Sequence, residues 1–341
     1  MTMNPTEILQ IIQTKNPLSE AQMIEAMSSI MEGGWSNEQI AALLMGISVR
    51  GESVEEITGA AKVMREKALP INAPDGAVDC CGTGGDKSGT YNISTAVAIV
   101  AAACGVPVAK HGNRSASSKS GAADVLEALG VNLDVSQERL EDALRQFNFA
   151  FLMAPRHHAA MKYVVPVRKA LGVRTMFNVL GPLANPAGTQ FQLLGVFDRA
   201  LLIPICEVLK ALGTKRAWVV HGSDGLDEIT TTGETYIAKL EDGVITQDVL
   251  TPEDFGISKS QPDDLVGGIP EENAAALYDV LNGKDGAYAD IVVANTAAVL
   301  CIVQKASNLK DASQMARDVL KNGKALDLLE QYKAFIKDET V

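Results

Sequence analysis

Three stretches of this chain carry residue types that can hold a polyanion and a cation. The first is Asp79-Cys80-Cys81-Gly82-Thr83-Gly84-Gly85-Asp86-Lys87, followed closely by Tyr91-Asn92-Ile93-Ser94-Thr95. Three glycines within four residues let the backbone come close to a ligand and aim several N–H groups at one point. The apolar run Gly76-Ala77-Val78 leads in as a strand, and Ser94-Thr95 is expected to cap the helix that Ala96-Val97-Ala98-Ile99-Val100 begins. That helix N-terminus adds about half a positive charge. Asp86 beside phosphates is repulsive unless it faces a hydroxyl or a metal ion. Taken alone, the turn fits a tight strand-to-helix connection equally well, since it is neither the P-loop pattern nor G-x-G-x-x-G.

The second stretch is Lys110-His111-Gly112-Asn113-Arg114-Ser115-Ala116-Ser117-Ser118-Lys119-Ser120-Gly121. It places three cations, four serines, an asparagine and two glycines within twelve residues, after a strand expected to end at Ala109. Open α/β sheets bind ligands at such strand ends, so two loops of this kind point to one phosphate-rich pocket. The third, His221-Gly222-Ser223-Asp224-Gly225-Leu226-Asp227-Glu228, follows the strand Ala217-Trp218-Val219-Val220. Its carboxylates fit a plain turn, but facing a phosphate pocket they require a cation between themselves and the ligand. Hard oxygen ligands suit Mg²⁺. Arg168, in the linker Met161 to Lys169, is either solvent-facing or a clamp for a carboxylate. Phe177 to Pro186 reads as a structural Gly/Pro connector. His157 and His158 lack metal-ligand spacing, and no Ser-His-Asp arrangement can be picked out.

The elements that position these loops follow from pattern. Residues 5–68 read as amphipathic helices, with capping boxes at Ser19-Glu20-Ala21-Gln22, Ser36-Asn37-Glu38-Gln39 and Ser53-Val54-Glu55-Glu56. Behind these, Met23, Met27, Ile30 and Met31, then Ile40, Leu43, Leu44 and Ile47, then Ile57, Ala60, Ala61 and Met64 fall on helical spacing. After the connector Leu69 to Gly76 the pattern changes to alternating strands and helices, which implies a mainly parallel sheet with helices on its faces. Thr235 to Lys239 and Val244 to Thr246 form a hairpin, and the tail from Pro270 is helical with a break near Asn322-Gly323.

Composition bounds the partners. The 341 residues are 47% apolar and allow one large domain or two smaller ones. A net charge of −12 argues against a general nucleic-acid or membrane-surface binder, so any anion site is local. No apolar run reaches membrane-spanning length, and Met1-Thr2-Met3-Asn4-Pro5 lacks signal-peptide features, which leads to the expectation of a cytoplasmic protein. The five cysteines (80, 81, 104, 206, 301) sit among apolar neighbours and read as reduced core thiols.

With Gly82-Thr83-Gly84-Gly85-Asp86, Asn92-Ile93-Ser94-Thr95, Lys110-His111-Gly112-Asn113-Arg114, Asn178 to Pro186 and Asp224-Gly225-Leu226-Asp227-Glu228 in order, the chain resembles the anthranilate phosphoribosyltransferases over essentially its whole length. The resemblance implies the nucleoside phosphorylase/phosphoribosyltransferase type of α/β fold: a small N-terminal α-helical domain plus a larger α/β domain with a mainly parallel central sheet. It assigns 1–72 with 165–190 to the helical unit, 73–164 with 191–341 to the α/β unit, and a homodimer to the helical units. It implies transfer of the phosphoribosyl group of 5-phosphoribosyl 1-pyrophosphate (PRPP) to anthranilate in L-tryptophan biosynthesis, with Mg²⁺ as cofactor.

Carried onto matching positions, the resemblance assigns PRPP to Gly82, Gly85, Asp86, Thr90, Asn92, Ile93, Ser94, Thr95, Lys110, His111, Gly112, Asn113, Arg114, Ser115, Ala116, Ser117 and Ser118. It assigns Mg²⁺ to Ser94, Asp227 and Glu228, and anthranilate to Gly82, Asn113 and Arg168, with Pro155 and His158 walling the access path. No general base is assigned, because an aniline-type nitrogen is already a neutral nucleophile at pH 7. The chain departs from the family at Ala122 and Ala159, where serine and proline are frequent, and altered affinity is the expected consequence. A pyrimidine nucleoside phosphorylase of similar architecture is the nearest rival, and a noncatalytic nucleic-acid-binding relative a more distant one. The Asp227-Glu228 pair favours the transferase.

Overall fold

The computed structural model describes residues 3–86, 88–115 and 119–337. Four helices come first: α1 (Pro5–Gln13), α2 (Glu20–Met31), α3 (Asn37–Arg50) and α4 (Val54–Glu66). The three expected capping boxes are present at Ser19, Ser36 and Ser53, and a fourth, not foreseen, joins Asn4 to Glu7. Glu56 does more than cap. Fully buried, it accepts the Leu18 N–H at 2.9 Å and pairs with the Arg50 guanidinium.

The α/β part runs β1 (Val78–Gly82), α5 (Ile93–Ala103), β2 (Val108–Gly112), α6 (Ala122–Ala128), α7 (Gln137–Phe147), β3 (Phe149–Met153) and α8 (Ala154–His157). It then passes through α9 (Val165–Leu171) and α10 (Phe177–Leu183) before β4 (Phe191–Gly195), α11 (Leu202–Ala211), β5 (Arg216–Gly222), β6 (Thr235–Glu241) and β7 (Val244–Leu250). The tail is α12 (Pro270–Leu281), α13 (Ala287–Ile302), α14 (Leu309–Lys321) and α15 (Lys324–Lys337).

The strands form one sheet in the order β3-β2-β1-β4-β5-β6-β7, parallel through β5 and antiparallel beyond it. The β6–β7 hairpin turns on Asp242 and Gly243, both at positive φ, as a two-residue hairpin with right-handed strand twist requires. Alternate residues face opposite layers, as the pleat dictates. Leu193, Trp218, Val220 and Ile237 join the core under α5 and α13, whereas Leu194, Ala217, Val219, Ala238 and Leu240 join the core under α11 and the N-terminal helices. Val164, Val167, Phe177, Leu180 and Leu183 belong to this second core, which draws α9 and α10 into the helical layer. Among the described residues no helix is long and apolar enough to cross a membrane.

Three local expectations need correction, and one helix was without an expectation. Ser94 and Thr95 do not cap α5; they lie in its first turn, and Asn92 occupies the cap position without a side-chain cap bond. β2 extends to Gly112 because Lys110 and His111 pair with Phe151 and Leu152 of β3, so these two residues belong to the strand. Phe177–Leu183 is a helix, with Pro182 late enough in it to disturb only the last turn. The helix α7, with Leu140, Ala143 and Leu144 buried at helical spacing and Ser136 as its cap, was not foreseen.

Candidate active site

The ends of β1 and β4 lie side by side where the connections of the sheet reverse direction, the position at which a crevice opens in a doubly wound sheet. A cleft of about 200 Å³ lies there. It is lined by Gly82, Gly84, Asp86 and residues 88–95, by residues 119–122, by Asp227 and Glu228, and by Gly268 and Asn273.

Asp227 passes between the two strand ends. Its Oδ2 accepts the Gly84 N–H at 2.6 Å. A Cβ at Gly82 would collide with the Asp227 carboxylate, and one at Gly195 with the Asp227 backbone. Glycine is thus required where both strands end, and the carboxylate is pressed against the glycine turn. Glu228 lies beside it, with the backbone N–H of Ser94 in the first turn of α5 acting to lower its pKa. Burial, and then the charge of Asp86, push Asp227 up to about 7. Burial, and then Asp227, push Glu228 up to about 8, with Lys110 acting in the opposite sense. Asp86 does face a hydroxyl: its Oδ2 accepts Ser88 Oγ at 2.6 Å.

Asp86 thus raises Asp227, and Asp227 and Asp86 raise Glu228, while the oxygens of all three are the hard donors that Mg²⁺ prefers. Among the described residues no three His, Cys, Asp or Glu side chains form a complete metal cage. A Mg²⁺ ion commonly takes one or two carboxylates and completes its shell with water and phosphate oxygens, so the donor set fits an ion that arrives with a phosphate ligand.

The second loop divides. Lys110, 1% exposed, lies beneath the cleft, where its Nζ donates to Cys80 O at 2.7 Å and to Ser94 Oγ at 3.2 Å. Arg114 turns toward α6 and pairs with Glu127 at 2.6 Å and Asp124 at 3.3 Å. The Ser115 N–H donates to Asp124 Oδ2 at 3.0 Å, and exposed Asn113 accepts the Arg114 N–H with its side chain. Gly112 lies so close to the Phe151 ring that a Cβ would meet it. Ala116, Ser117 and Ser118 lie outside the described residues. Lys119 and Ser120 line the cleft.

In the first stretch, Gly84, Gly85 and Gly89 all adopt positive φ, which glycine permits. Thr90 bridges to Val266, and Asn92 is held by Ser120 and Asn273. The side chains of Ile93 and Thr95 are buried. In the third loop Asp224 is structural: its Oδ2 accepts the hydroxyls of Thr230 and Thr232, each at 2.5 Å.

A separate polar group gathers at the ends of β2 and β3. The rings of His111 and His158 meet edge to face at 5.2 Å, and His111 Nδ1 lies 3.1 Å from Gly181 O. Burial lowers His111 to about 3 and His158 to about 4, so both are neutral near pH 7. The Nε2 atom of each is buried with no protein partner among the described residues. Pro155 is exposed in the first turn of α8. The half-buried Arg168 guanidinium stands 5.5 Å from the Phe177 ring centroid, and burial alone lowers its pKa. His111, Asn113, Arg114, Pro155, His158 and Arg168 do not line the 200 Å³ cleft.

Residues that sequence reasoning passed over are Lys119 and Ser120, which lay within the flagged loop without a role, and Gly268 and Asn273. The last two come from a helix start nearly two hundred residues downstream of the first glycine turn. No local signal in the sequence ties them to it.

The comparisons with known proteins agree with this architecture. Residues 6–68 match the helical bundle domain of a glycosyl transferase family, and residues 74–326 match its a/b domain. The anthranilate phosphoribosyltransferase of Rhodospirillum rubrum is 52% identical over 98% of this chain and 99% of its own length. The crystal structure of the Thermus thermophilus anthranilate phosphoribosyltransferase superposes with a TM-score of 0.92 at 44% identity, covering 97% of this chain and 99% of that one. The Saccharomyces cerevisiae enzyme, solved in complex with PRPP and Mg, gives 0.90 at 27% identity over 98% of each chain. With the family's two-part model matched along its length and close relatives over nearly all of it, this chain belongs to the anthranilate phosphoribosyltransferase family.

Proposed function

We infer that the protein transfers the phosphoribosyl group of PRPP to the amine of anthranilate, giving N-(5-phosphoribosyl)anthranilate and pyrophosphate, a step of L-tryptophan biosynthesis. The observation that carries this reading is the pairing of opposites at the β1/β4 crevice. A glycine turn and a helix N-terminus suited to phosphates stand directly against two carboxylates, Asp227 raised by burial and the charge of Asp86, and Glu228 by burial and the charge of Asp227.

In this reading the N–H groups of residues 82–86 and of the first turn of α5 hold the diphosphate, with Lys119 as the cation at the rim. Asp227 and Glu228, with Ser94, would hold Mg²⁺, which supplies positive charge to the diphosphate when bound. Lys110 keeps the floor from becoming purely anionic and holds Ser94 in place. The C1–O bond breaks with its electron pair leaving on pyrophosphate, C1 gains oxocarbenium character, and the anthranilate nitrogen attacks from the opposite face. The ammonium proton is then lost to water, so no side chain is needed as a strong base. Arg168, a half-buried guanidinium without an acidic partner among the described residues, orients the anthranilate carboxylate. His111, Asn113, Pro155 and His158 border its path. Because Arg168 and these residues stand off the cleft, approach of the two groups during binding is part of the proposal.

We assign residues 1–72 with 165–190 to a helical unit that dimerises, residues 73–164 with 191–341 to the α/β unit that takes PRPP, and the protein to the cytoplasm. Loss of anthranilate fluorescence on mixing with PRPP tests the reaction directly. Loss that requires Mg²⁺ and matches pyrophosphate release is the expected result. Folded protein that leaves the fluorescence unchanged, and instead releases base from thymidine or uridine with phosphate, would replace this reading by the phosphorylase one.

A further inference from the structure

The segment before α12 is laced to the loop that opens α5. Tyr91 N–H donates to Leu265 O at 3.1 Å and Gly267 N–H to Gly89 O at 2.8 Å, on either side of the Thr90–Val266 bridge. Behind this strap α12 places Asn273, 1% exposed yet bordering the cleft. Its Oδ1 accepts the Gly268 N–H at 2.7 Å, and its Nδ2 donates to Asn92 Oδ1 at 2.9 Å. Ser120 Oγ donates to the same Asn92 oxygen at 3.1 Å, while Asn92 Nδ2 donates to the Ser120 carbonyl at 3.3 Å. Two donors on its oxygen and an acceptor on its nitrogen leave the Asn92 amide one orientation, since a flip would set oxygen against carbonyl.

Helix capping does not account for a buried amide here. Glu272 already accepts the Ile269 N–H at 3.1 Å at the start of α12, and an acceptor alone would serve Gly268. The second half of the Asn273 amide is spent on Asn92. We propose that Asn273 is a positioning residue for the PRPP side of the reaction, acting through Asn92. This rests on the reading that Asn92 contacts PRPP.

The test is a double-mutant cycle on the full chain, with KM for each substrate and the melting temperature measured for every variant. Asn273→Ala is expected to raise the PRPP KM about tenfold, the loss of one hydrogen bond's worth of alignment, and the anthranilate KM by less than about twofold. In an Asn92→Ala background the same substitution should add less than about twofold, because the group it positions is gone. A full tenfold effect in that background, or an equal rise in both KM values, overturns the proposal. Asn92→Ala that leaves the PRPP KM unchanged overturns the PRPP reading of Asn92 and the proposal with it; a normal Asn92 effect with a silent Asn273→Ala overturns the proposal alone. Should Asn273→Ala melt early, Asn273→Ser carries the same cycle, since its hydroxyl remains near Gly268 but falls short of Asn92.

Discussion

Asp227, buried, and Glu228, half-buried beside it, show what an acidic pair demands of its surroundings. Both carboxyls are raised in the folded chain, to about 7 and about 8, while in the unfolded chain they titrate near 4. A raised acid favours folding below its unfolded pKa and loses that contribution as pH rises through the folded value. Metal-free protein should therefore melt at progressively lower temperature between about pH 4 and 8, from these two groups. In the proposed site Mg²⁺ with pyrophosphate would bind the ionised pair, so the thermal shift it produces should grow over the same interval. Asp227→Asn removes one of the two charges: it should flatten the metal-free slope and lower Mg²⁺-dependent turnover by about a hundredfold or more. A thermal shift that is constant from pH 6 to 8.5 would remove the pair from the metal site. Arg168 is tested separately. Arg168→Ala should raise the anthranilate KM about 10- to 100-fold, the range for a lost charge-assisted hydrogen bond, and the PRPP KM by no more than about threefold. Equal effects on both substrates would end its role as a carboxylate clamp.

At the scale of elements, the start of α4 carries more than its capping box. Glu56 is fully buried and holds the Leu18 N–H, the Ser53 N–H and the Arg50 guanidinium at once. Glu56→Ala should lower stability by about 3–5 kcal/mol in chemical denaturation, because it leaves two N–H groups without an acceptor and takes the counter-charge from Arg50, which keeps the Asn16 and Gly51 carbonyls. Glu56→Gln, which keeps an oxygen in place, should lose less. The box itself was legible in Ser53-Val54-Glu55-Glu56, as were the helices behind it and the strand-helix alternation, because capping and apolar period are local. What the local pattern hides is the partner across the fold. Lys110 and His111 read as loop residues beside glycine and serine, yet pairing with Phe151 and Leu152 draws them into β2 and buries them. Arg114 lies in the same stretch, and its pairing with Asp124 and Glu127 of α6 is likewise a contact that no local pattern announces. Asn273 had no motif around it, and its meaning comes only from where α12 lands. Conversely, Gly82 and Asp227, 145 positions apart, were both flagged for their own chemistry, and their contact explains why the strand must end in glycine.

At the scale of the whole molecule, the helical layer exposes two valines at which the dimer proposed for the helical unit can be tested. Val49 on α3 is 81% exposed and Val173 after α9 is 53% exposed. They flank the hydrogen bond of Ser48 Oγ to Arg174 O that ties α3 to this segment. A net charge of −12 opposes indiscriminate association, so a dimer through this face depends on local apolar contact and not on overall charge. In a twofold interface each substitution is present twice, once on each partner. Val49→Glu therefore sets two like charges into the same contact, beyond removing apolar area, and adds nothing to the cleft. Sedimentation should find the parent protein at twice the chain mass and Val49→Glu shifted toward the single chain at micromolar concentration, with the melting profile of the α/β part retained. A variant that stays dimeric would place the interface elsewhere on the helical layer, and a monomeric parent would remove the dimer from the assignment of the helical unit altogether.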